Sequence, residues 1–378
     1  MRVVSVTVRD FRGYSSATAP LGGCLTVVHG PNGAGKSNLL EAVYFGCTGR
    51  SCRTANDKEL VRFGEQTTRV VVETEDQDGT HQLAVGLTPG EDKKMFVDGA
   101  PVPRLLDVDL RPLISVFLPE RLELVKGVPA LRRAHLDQLI AALWPARVAA
   151  RRAYSQTLAQ RNALLSRVRA GWAPSSALEP WSEQLARQAL VLMADRQEAL
   201  DLLAPAFIGI ASRLGLDGDP GVRYRPRSKA STAEQFVAEL DARLETDLER
   251  GFTSHGPHRD ELVFSRAGRE LRTYGSQGQQ RLAILSLLLA EREVLATRRN
   301  AAPLMLLDDV MSELDATRRS ALVEQLTATD GQALITTTDA DHVPAGDRSD
   351  TVLIAVEDGE LTTSAGRELA MTGPAGDD

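Results

Sequence analysis

An apolar run at residues 25–29 leads directly into Gly30-Pro31-Asn32-Gly33-Ala34-Gly35-Lys36-Ser37. Helical periodicity begins immediately behind it, with Leu39, Leu40, Val43 and Tyr44 recurring up to Gly46. No other feature constrains the fold as strongly. The octapeptide fits GxxxxGK[ST] in full, and it lies between a buried-type strand and an amphipathic helix, the context in which such a loop has physical meaning. Its glycines let backbone N–H groups turn inward on phosphates. The helix N-terminus, with Asn38 in its first turn, adds partial positive charge. Lys36 reaches for β- and γ-phosphates and the Ser37 hydroxyl for Mg²⁺. A chance glycine-rich turn would lack this flanking pattern.

The rest of the chain reads as two α/β halves around a helical middle. Val4, Val6 and Val8 alternate as in a half-buried strand. Strand-type runs at 69–73, 82–87 and 94–97 are separated by the turn signals Asp78-Gly79, Pro89-Gly90 and Asp98-Gly99. From Pro119 to about Leu214 the chain is rich in Ala, Leu, Arg and Gln, which favour helix. Tyr154, Leu158, Leu165 and Val168 share one helical face. Leu178, Leu185 and Leu192 form a short heptad-like row on the next helix, which Pro205 limits. The heptads are too few for a long coiled coil. A strand follows from Leu262, then a long helix over 279–298, a strand at 304–307, a helix at 315–326, strands at 333–337 and 352–356, and a terminal hairpin. This alternation predicts a mostly parallel, layered α/β sheet. The expected division is 1–118 and 251–366 for the two α/β parts, 119–250 for an inserted helical arm, and 367–378 for a disordered tail.

Two further motifs carry chemistry. Leu304-Met305-Leu306-Leu307 ends in Asp308-Asp309. A buried strand holds Asp308 at its C-terminal end, where a contact to Mg²⁺ is needed, and Asp309 points at the γ-phosphate to position water. Ser276-Gln277-Gly278-Gln279 precedes the long helix. Ser276 and Gly278 are small and leave N–H groups free there, which makes an anion site; the alternative is an ordinary Ser N-cap. Taken together with Ser312-Glu313-Leu314-Asp315, these segments resemble the Walker A, signature, Walker B and D-loop motifs of ABC ATPases. The resemblance implies a P-loop ATPase head in which two subunits sandwich two ATPs. Each signature, here Ser276, Gly278 and Gln279, contacts the γ-phosphate held by the opposite loop. The long insertion between Lys36 and Asp308 is similar to the Rad50/SMC-like branch and unlike transporter subunits. Thr338 stands where the usual switch histidine is expected, which implies slow turnover.

Asp10-Phe11-Arg12, Phe117-Leu118-Pro119-Glu120, Lys126-Gly127, Leu131-Arg132-Arg133 and Gly256-Pro257-His258-Arg259-Asp260 narrow the resemblance to the RecF family of bacterial recombination mediators. That resemblance implies a cytosolic, weak ATPase that dimerises on ATP. It implies sequence-independent binding of duplex DNA at gaps or junctions, and action with RecR and RecO in loading recombinase, in repair, replication and SOS induction. Arg12 contacts nucleotide phosphate or adenine, or is a solvated arginine at a strand end. Glu120 lies where a Q-loop would join two lobes. His255, His258 and Asp260 suggest a metal site or a general base, but no further ligand cluster is visible, which favours a structural or allosteric role.

Charge bears on the DNA reading. The net charge is −7, which argues against a protein coated in nucleic acid. Yet residues 121–170 carry Arg121, Lys126, Arg132, Arg133, Arg147, Arg151, Arg152, Arg161, Arg167 and Arg169 against only Glu123 and Asp137. Arg223, Arg225, Arg227 and Lys229 share one face if that segment is extended, a geometry that tracks phosphates. DNA backbone contacts are therefore expected at Arg147, Arg151, Arg152, Arg223, Arg225 and Arg227, the alternative being a solvated helix face. The 43% hydrophobic and 25% charged content is that of a globular protein. No apolar run of about 18 residues exists to span a membrane. The three cysteines form no CxxC pair, and the first residues lack an apolar signal core; both features suggest the reducing cytosol. A transporter ATPase subunit is the first rival, opposed by the insertion and the missing histidine. An SMC-like structural ATPase is the second, opposed by the lack of a long coil and hinge.

Overall fold

The computed structural model describes residues 1–328, 330–344 and 350–365, with the side chains of all but Glu120, Ser364 and Ala365. The chain forms two compact units, residues 1–119 with the chain from 300 onward, and residues 120–299. The first unit opens with β1 (Arg2–Phe11), β2 (Tyr14–Pro20), β3 (Leu25–His29), α1 (Lys36–Thr48), β4 (Thr68–Glu75), β5 (Thr80–Leu87), β6 (Lys94–Val97), β7 (Ala100–Val102) and β8 (Ile114–Phe117). The second unit holds α2 (Glu123–Lys126), α3 (Pro129–Leu143), α4 (Val148–Arg169), α5 (Glu179–Arg213), β9 (Gly221–Arg225), α6 (Ala233–Asp241) and α7 (Leu244–Arg250). It ends with β10 (Glu261–Arg266), β11 (Arg269–Glu270), α8 (Leu271–Tyr274) and α9 (Gln277–Arg299). The chain then returns to the first unit with β12 (Leu304–Leu307), α10 (Ala316–Thr327), β13 (Ala333–Thr337), β14 (Thr351–Glu357) and β15 (Glu360–Ala365).

Two sheets build the first unit. One runs β2-β1-β4-β5-β6-β7 and is antiparallel in every pair; the other runs β15-β14-β3-β13-β12-β8, parallel except for β15. Leu39, Leu40, Val43 and Phe45 of α1 join Val6, Val8, Val70 and Val72 of the first sheet and Val28, Leu306 and Leu334 of the second in one core. Burying both faces of β3, β12 and β13 explains their unbroken apolar runs.

Several details depart from expectation. Val3 is buried and Val4 only half so, because a bulge between Val3 and Ser5 shifts the phase of β1. The Gln332 side chain takes over the Val3 backbone there, accepting from its N–H at 2.6 Å and donating to its carbonyl at 2.6 Å. Gly46 does not end α1. The helix runs on to Thr48 and is capped by Gly49 at φ 68°. A Cβ on Gly46 would lie 2.4 Å from a Val72 methyl, so the glycine permits close approach to β4. Pro205 does not limit α5 either; it sits inside a helix held by buried Leu200, Leu203, Phe207 and Ile210. Residues 251–299, expected with the α/β halves, belong to the second unit, where α9 packs on α5.

The basic middle is not a free positive face. Arg132, 2% exposed, donates to both Glu261 oxygens at 2.6 and 3.0 Å and to the carbonyls of Leu124, Val125 and Gly127. Arg161 is fully buried against Asp247, Thr253 and Ser182. Arg147 pairs with Asp195 at 3.0 Å and Glu198 at 2.6 Å, and lies over the Trp144 ring. Arg151 pairs with Asp137 at 3.0 Å, and Arg225 with Glu270 at 2.7 Å. Strand β9 ends at Arg225, so Arg227 lies beyond the extended face that Arg223 and Arg225 share; Arg152, Arg223 and Arg227 are exposed. Acids distant in sequence reach Arg132, Arg147 and Arg161, which a count over 50 residues cannot register.

Candidate nucleotide site

Strand β3 delivers the loop at the C-terminal edge of the parallel sheet, where open α/β sheets place their ligand crevice. Gly30 (φ 149°) abuts β14: a Cβ would lie 2.2 Å from the Val356 carbonyl oxygen. Gly35 (φ 119°) leaves room for Tyr14, whose hydroxyl would be 3.0 Å from an added Cβ. That hydroxyl donates to the Gly35 carbonyl at 3.0 Å, and burial pushes the Tyr14 phenol pKa up, which keeps it protonated. Gly33 has φ 85° and open space around it. The loop is thus fixed from behind and open in front.

Lys36 is 8% exposed, and its Nζ donates to the carbonyls of Gly30 and Pro31, both at 2.8 Å. Burial lowers its pKa, and the carboxylates of Asp309 and Asp308 oppose that shift. Ser37 Oγ donates to Asp308 Oδ1 at 2.7 Å. Thr336 Oγ1 donates to the same oxygen at 2.6 Å and accepts from the Asp309 N–H at 2.9 Å. Asp309 has φ 47°, a left-handed conformation that aspartate tolerates and that turns the chain sharply after β12. One hydrogen-bonded chain therefore joins α1, β12 and β13. Hydroxyl and carboxylate oxygens are the ligands a small hard cation takes, and an ammonium beside glycine N–H groups suits phosphate oxygens. The residues present fit a magnesium nucleoside triphosphate.

Asn38 Oδ1 accepts from Arg53 at 3.1 Å. Arg12 (φ 53°) is not a solvated strand-end arginine: it holds both oxygens of fully buried Glu41 at 2.9 Å. Thr338 is exposed just past β13. In the second unit, Ser276 caps α9 reciprocally with Gln279. The Gln279 N–H donates to Ser276 Oγ at 3.3 Å, and the Ser276 N–H donates to Gln279 Oε1 at 2.9 Å. Ser276 and Gly278 are exposed, with open space beside Gly278. The N-cap reading is realised, on a helix N-terminus that faces solvent.

His255 bonds Glu239 at 2.6 Å; His258 lies between the Tyr154 hydroxyl at 2.7 Å and the Thr253 carbonyl at 2.9 Å. Asp260 accepts from the Tyr224 hydroxyl and the Arg227 N–H. Each is engaged within the protein, and no metal-holding cluster exists among the described residues. The Glu120 side chain lies outside the described residues. Sequence reasoning missed Thr336 and Glu41. A carboxylate on a helix otherwise set in the core was the available signal for Glu41; Thr336 is one of three consecutive threonines with nothing to single it out.

Residues 2–361 match the family model of the RecF/RecN/SMC N terminal domain. The DNA replication and repair protein RecF of Anaeromyxobacter sp. (strain Fw109-5) is 39% identical over 372 residues, covering 96% of this chain and 99% of its own. That of Myxococcus xanthus (strain DK1622) is 35% identical over 379 residues, covering 97% and 99%. The solved structure of the recombination mediator protein RecF-ATP in the RecFOR pathway matches with a TM-score of 0.81 at 27% identity, over 96% of this chain and 98% of that one. An Smc head bound to the C-winged helix domain of ScpA, at TM-score 0.61 and 15% identity, shares the fold alone. On this agreement of family model, full-length relatives and fold, the chain belongs to the RecF family of DNA replication and repair proteins.

Proposed function

We propose that this chain is an ATP-dependent DNA-binding protein of recombinational repair, a slow ATPase that closes as a homodimer on nucleotide. The observation that carries the nucleotide reading is the hydrogen-bonded chain Ser37–Asp308–Thr336–Asp309 beside a fixed, open glycine loop. In this reading Lys36 exchanges the Gly30 and Pro31 carbonyls for phosphate oxygens, and the N–H groups between Asn32 and Asn38 complete the cradle. Ser37 and Asp308 hold Mg²⁺. A bound magnesium nucleotide supplies a phosphoryl group whose charge these groups stabilise. Asp309 orients water, and Ser276, Gly278 and Gln279 meet the phosphates bound by a second copy. Threonine in place of a histidine at Thr338 supports slow turnover. The solved relative belongs to the RecFOR pathway, which supports RecR and RecO as pathway partners and a place in the cytoplasm beside DNA.

Light scattering with ATP and with ADP tests the closure. Dimer with ATP only, lost in Ser276→Arg while nucleotide still binds, is the expected result; equal dimer with both nucleotides would sink it. Asp309→Asn should bind ATP and turn over more slowly. Wild-type turnover in that variant would remove Asp309 from the water-orienting role.

A further inference from the structure

The register of the first sheet places three cations in one row. Arg9 of β1 lies opposite Arg69 of β4, Arg69 opposite Gly86 of β5, and Gly86 opposite Lys94 of β6. Side chains alternate across a strand, so all four share a face. That face is the outer one: Arg9, Arg69 and Lys94 are exposed, while Val8, Val70 and Val85 beside them are buried. At about 4.8 Å between strands the row spans roughly 14 Å, with a gap at Gly86. Like charges directly opposite destabilise a sheet. Here little offsets them. Among the described residues the side chains of Arg69 and Lys94 make no hydrogen bond or ion pair, and Arg9 has only a loose 3.8 Å contact with Asp10. At the far end of the same strands Arg2 is bound to Glu75 at 2.7 and 2.9 Å. One end of the face is neutralised and the other is left positive.

A second feature adjoins this end. The Arg62 N–H donates to the Asp10 carbonyl at 2.8 Å, and the Glu65 N–H closes a turn onto the Arg62 carbonyl at 3.0 Å, with Gly64 at φ 91°. At the turn's apex Phe63 is fully exposed, at 102%. A large ring on a turn pinned by hydrogen bonds, touching no core, contributes nothing to packing.

We propose that this end of the sheet binds an unpaired DNA strand, with phosphates on Arg9, Arg69 and Lys94 and an unstacked base on Phe63. A cationic track beside an aromatic face is the chemistry that holds single strands, because every base has a π-face and every nucleotide a phosphate. Within a duplex the base faces are hidden, so Phe63 has a use only where a strand is unpaired. The inference rests on the repair reading above and adds a DNA surface outside the helical middle.

The test is salt titration of binding, with ATP present, to a blunt duplex and to the same duplex with a single-stranded tail. Arg69→Ala with Lys94→Ala should flatten the log–log salt slope for the tailed DNA by about 1.4, since each lost phosphate contact on a single strand removes about 0.7. Phe63→Ala should weaken tailed DNA roughly tenfold and leave blunt duplex unchanged, and Phe63→Tyr should restore it. Arg9→Glu creates an opposite-charge pair with Arg69, so it should weaken DNA binding with the melting temperature kept or raised. ATP affinity should hold in all of them, and Arg167→Ala with Arg298→Ala, exposed arginines away from this face, should leave the slope in place. An unchanged slope in the double variant overturns the proposal, as does a Phe63→Ala variant that binds tailed DNA like wild type or weakens both substrates equally. If the wild-type protein binds neither DNA in the presence of ATP, the repair reading itself has failed and this site falls with it.

Discussion

Arginine is used in opposite ways in the core of the helical unit and on the first sheet of the other unit. In the helical unit Arg161, Arg132 and Arg196 are buried cross-ties; Arg196 holds both oxygens of Asp137 at 2.9 and 3.1 Å and the Pro257 carbonyl at 2.7 Å. A planar guanidinium with five donors satisfies several acceptors at once, which lets one side chain tie several segments together. On the first sheet of the other unit Arg9 and Arg69 stand side by side and face water. Positive charge in the first setting is internal structure; in the second it is an outward field.

The contrast is open to being broken. Asp247→Ala should have the largest effect, because it leaves Arg161 buried and uncompensated, costing about 3–5 kcal/mol. Denaturant unfolding of the whole chain should gain an early transition, and a loss under about 1 kcal/mol would mean the buried arginines are not the ties. Next comes pH. Burial pushes the His258 pKa down to about 4, below its ordinary 6.5. The unfolded chain therefore takes up the proton first. The stabilisation is full above pH 6.5 and is lost as pH falls toward 4, by up to roughly 3 kcal/mol. Urea midpoints at several pH values, compared with His258→Gln, check this: the wild-type excess slope below 6.5 should vanish in the variant.

Lys36→Ala should lower ATP affinity by about 2 kcal/mol, near thirtyfold, as a charge-assisted contact is lost; calorimetric titration giving less than a threefold change would deny it that role. Arg147→Ala removes a half-exposed pair, so the expected loss of stability is only about 0–1 kcal/mol. The smallest effect belongs to the sheet. Arg69→Ala should change stability by no more than about 0.5 kcal/mol, in the favourable direction because it relieves a like-charge pair. A clear loss in thermal unfolding would show that Arg69 is structural after all.

The loop, β3, β12 and β13 were legible in the sequence because each is a short apolar run tied to a motif, and burial on both faces leaves no ambiguity of phase. The phase of β1 was not, because its bulge is completed by Gln332, 329 residues away from Val3. Gly46 and Pro205 read as stops by local propensity, and tertiary contacts overrode both. In the basic middle, the pairings of Arg132, Arg147 and Arg161 were hidden for the same reason. Asp195, Glu198, Asp247 and Glu261 lie outside any local window around the arginines they neutralise. Arg9, Arg69 and Lys94 went unnoticed because strand register alone brings them together.

The position of β3 has a consequence for how the protein is made. Among the described residues its ladder partners are β13 and β14, at Ala333–Thr337 and Thr351–Glu357. The strand that carries the glycine loop leaves the ribosome early, and both neighbours leave it late. At the usual 5–20 residues per second the wait is roughly 15–60 s. Throughout it an apolar strand has two open edges, each a template for pairing with another chain. The helical unit is continuous in sequence and can fold in the interval. The nascent protein thus carries a sticky half-sheet behind a finished helical unit, and release from a chaperone should coincide with completion of β14.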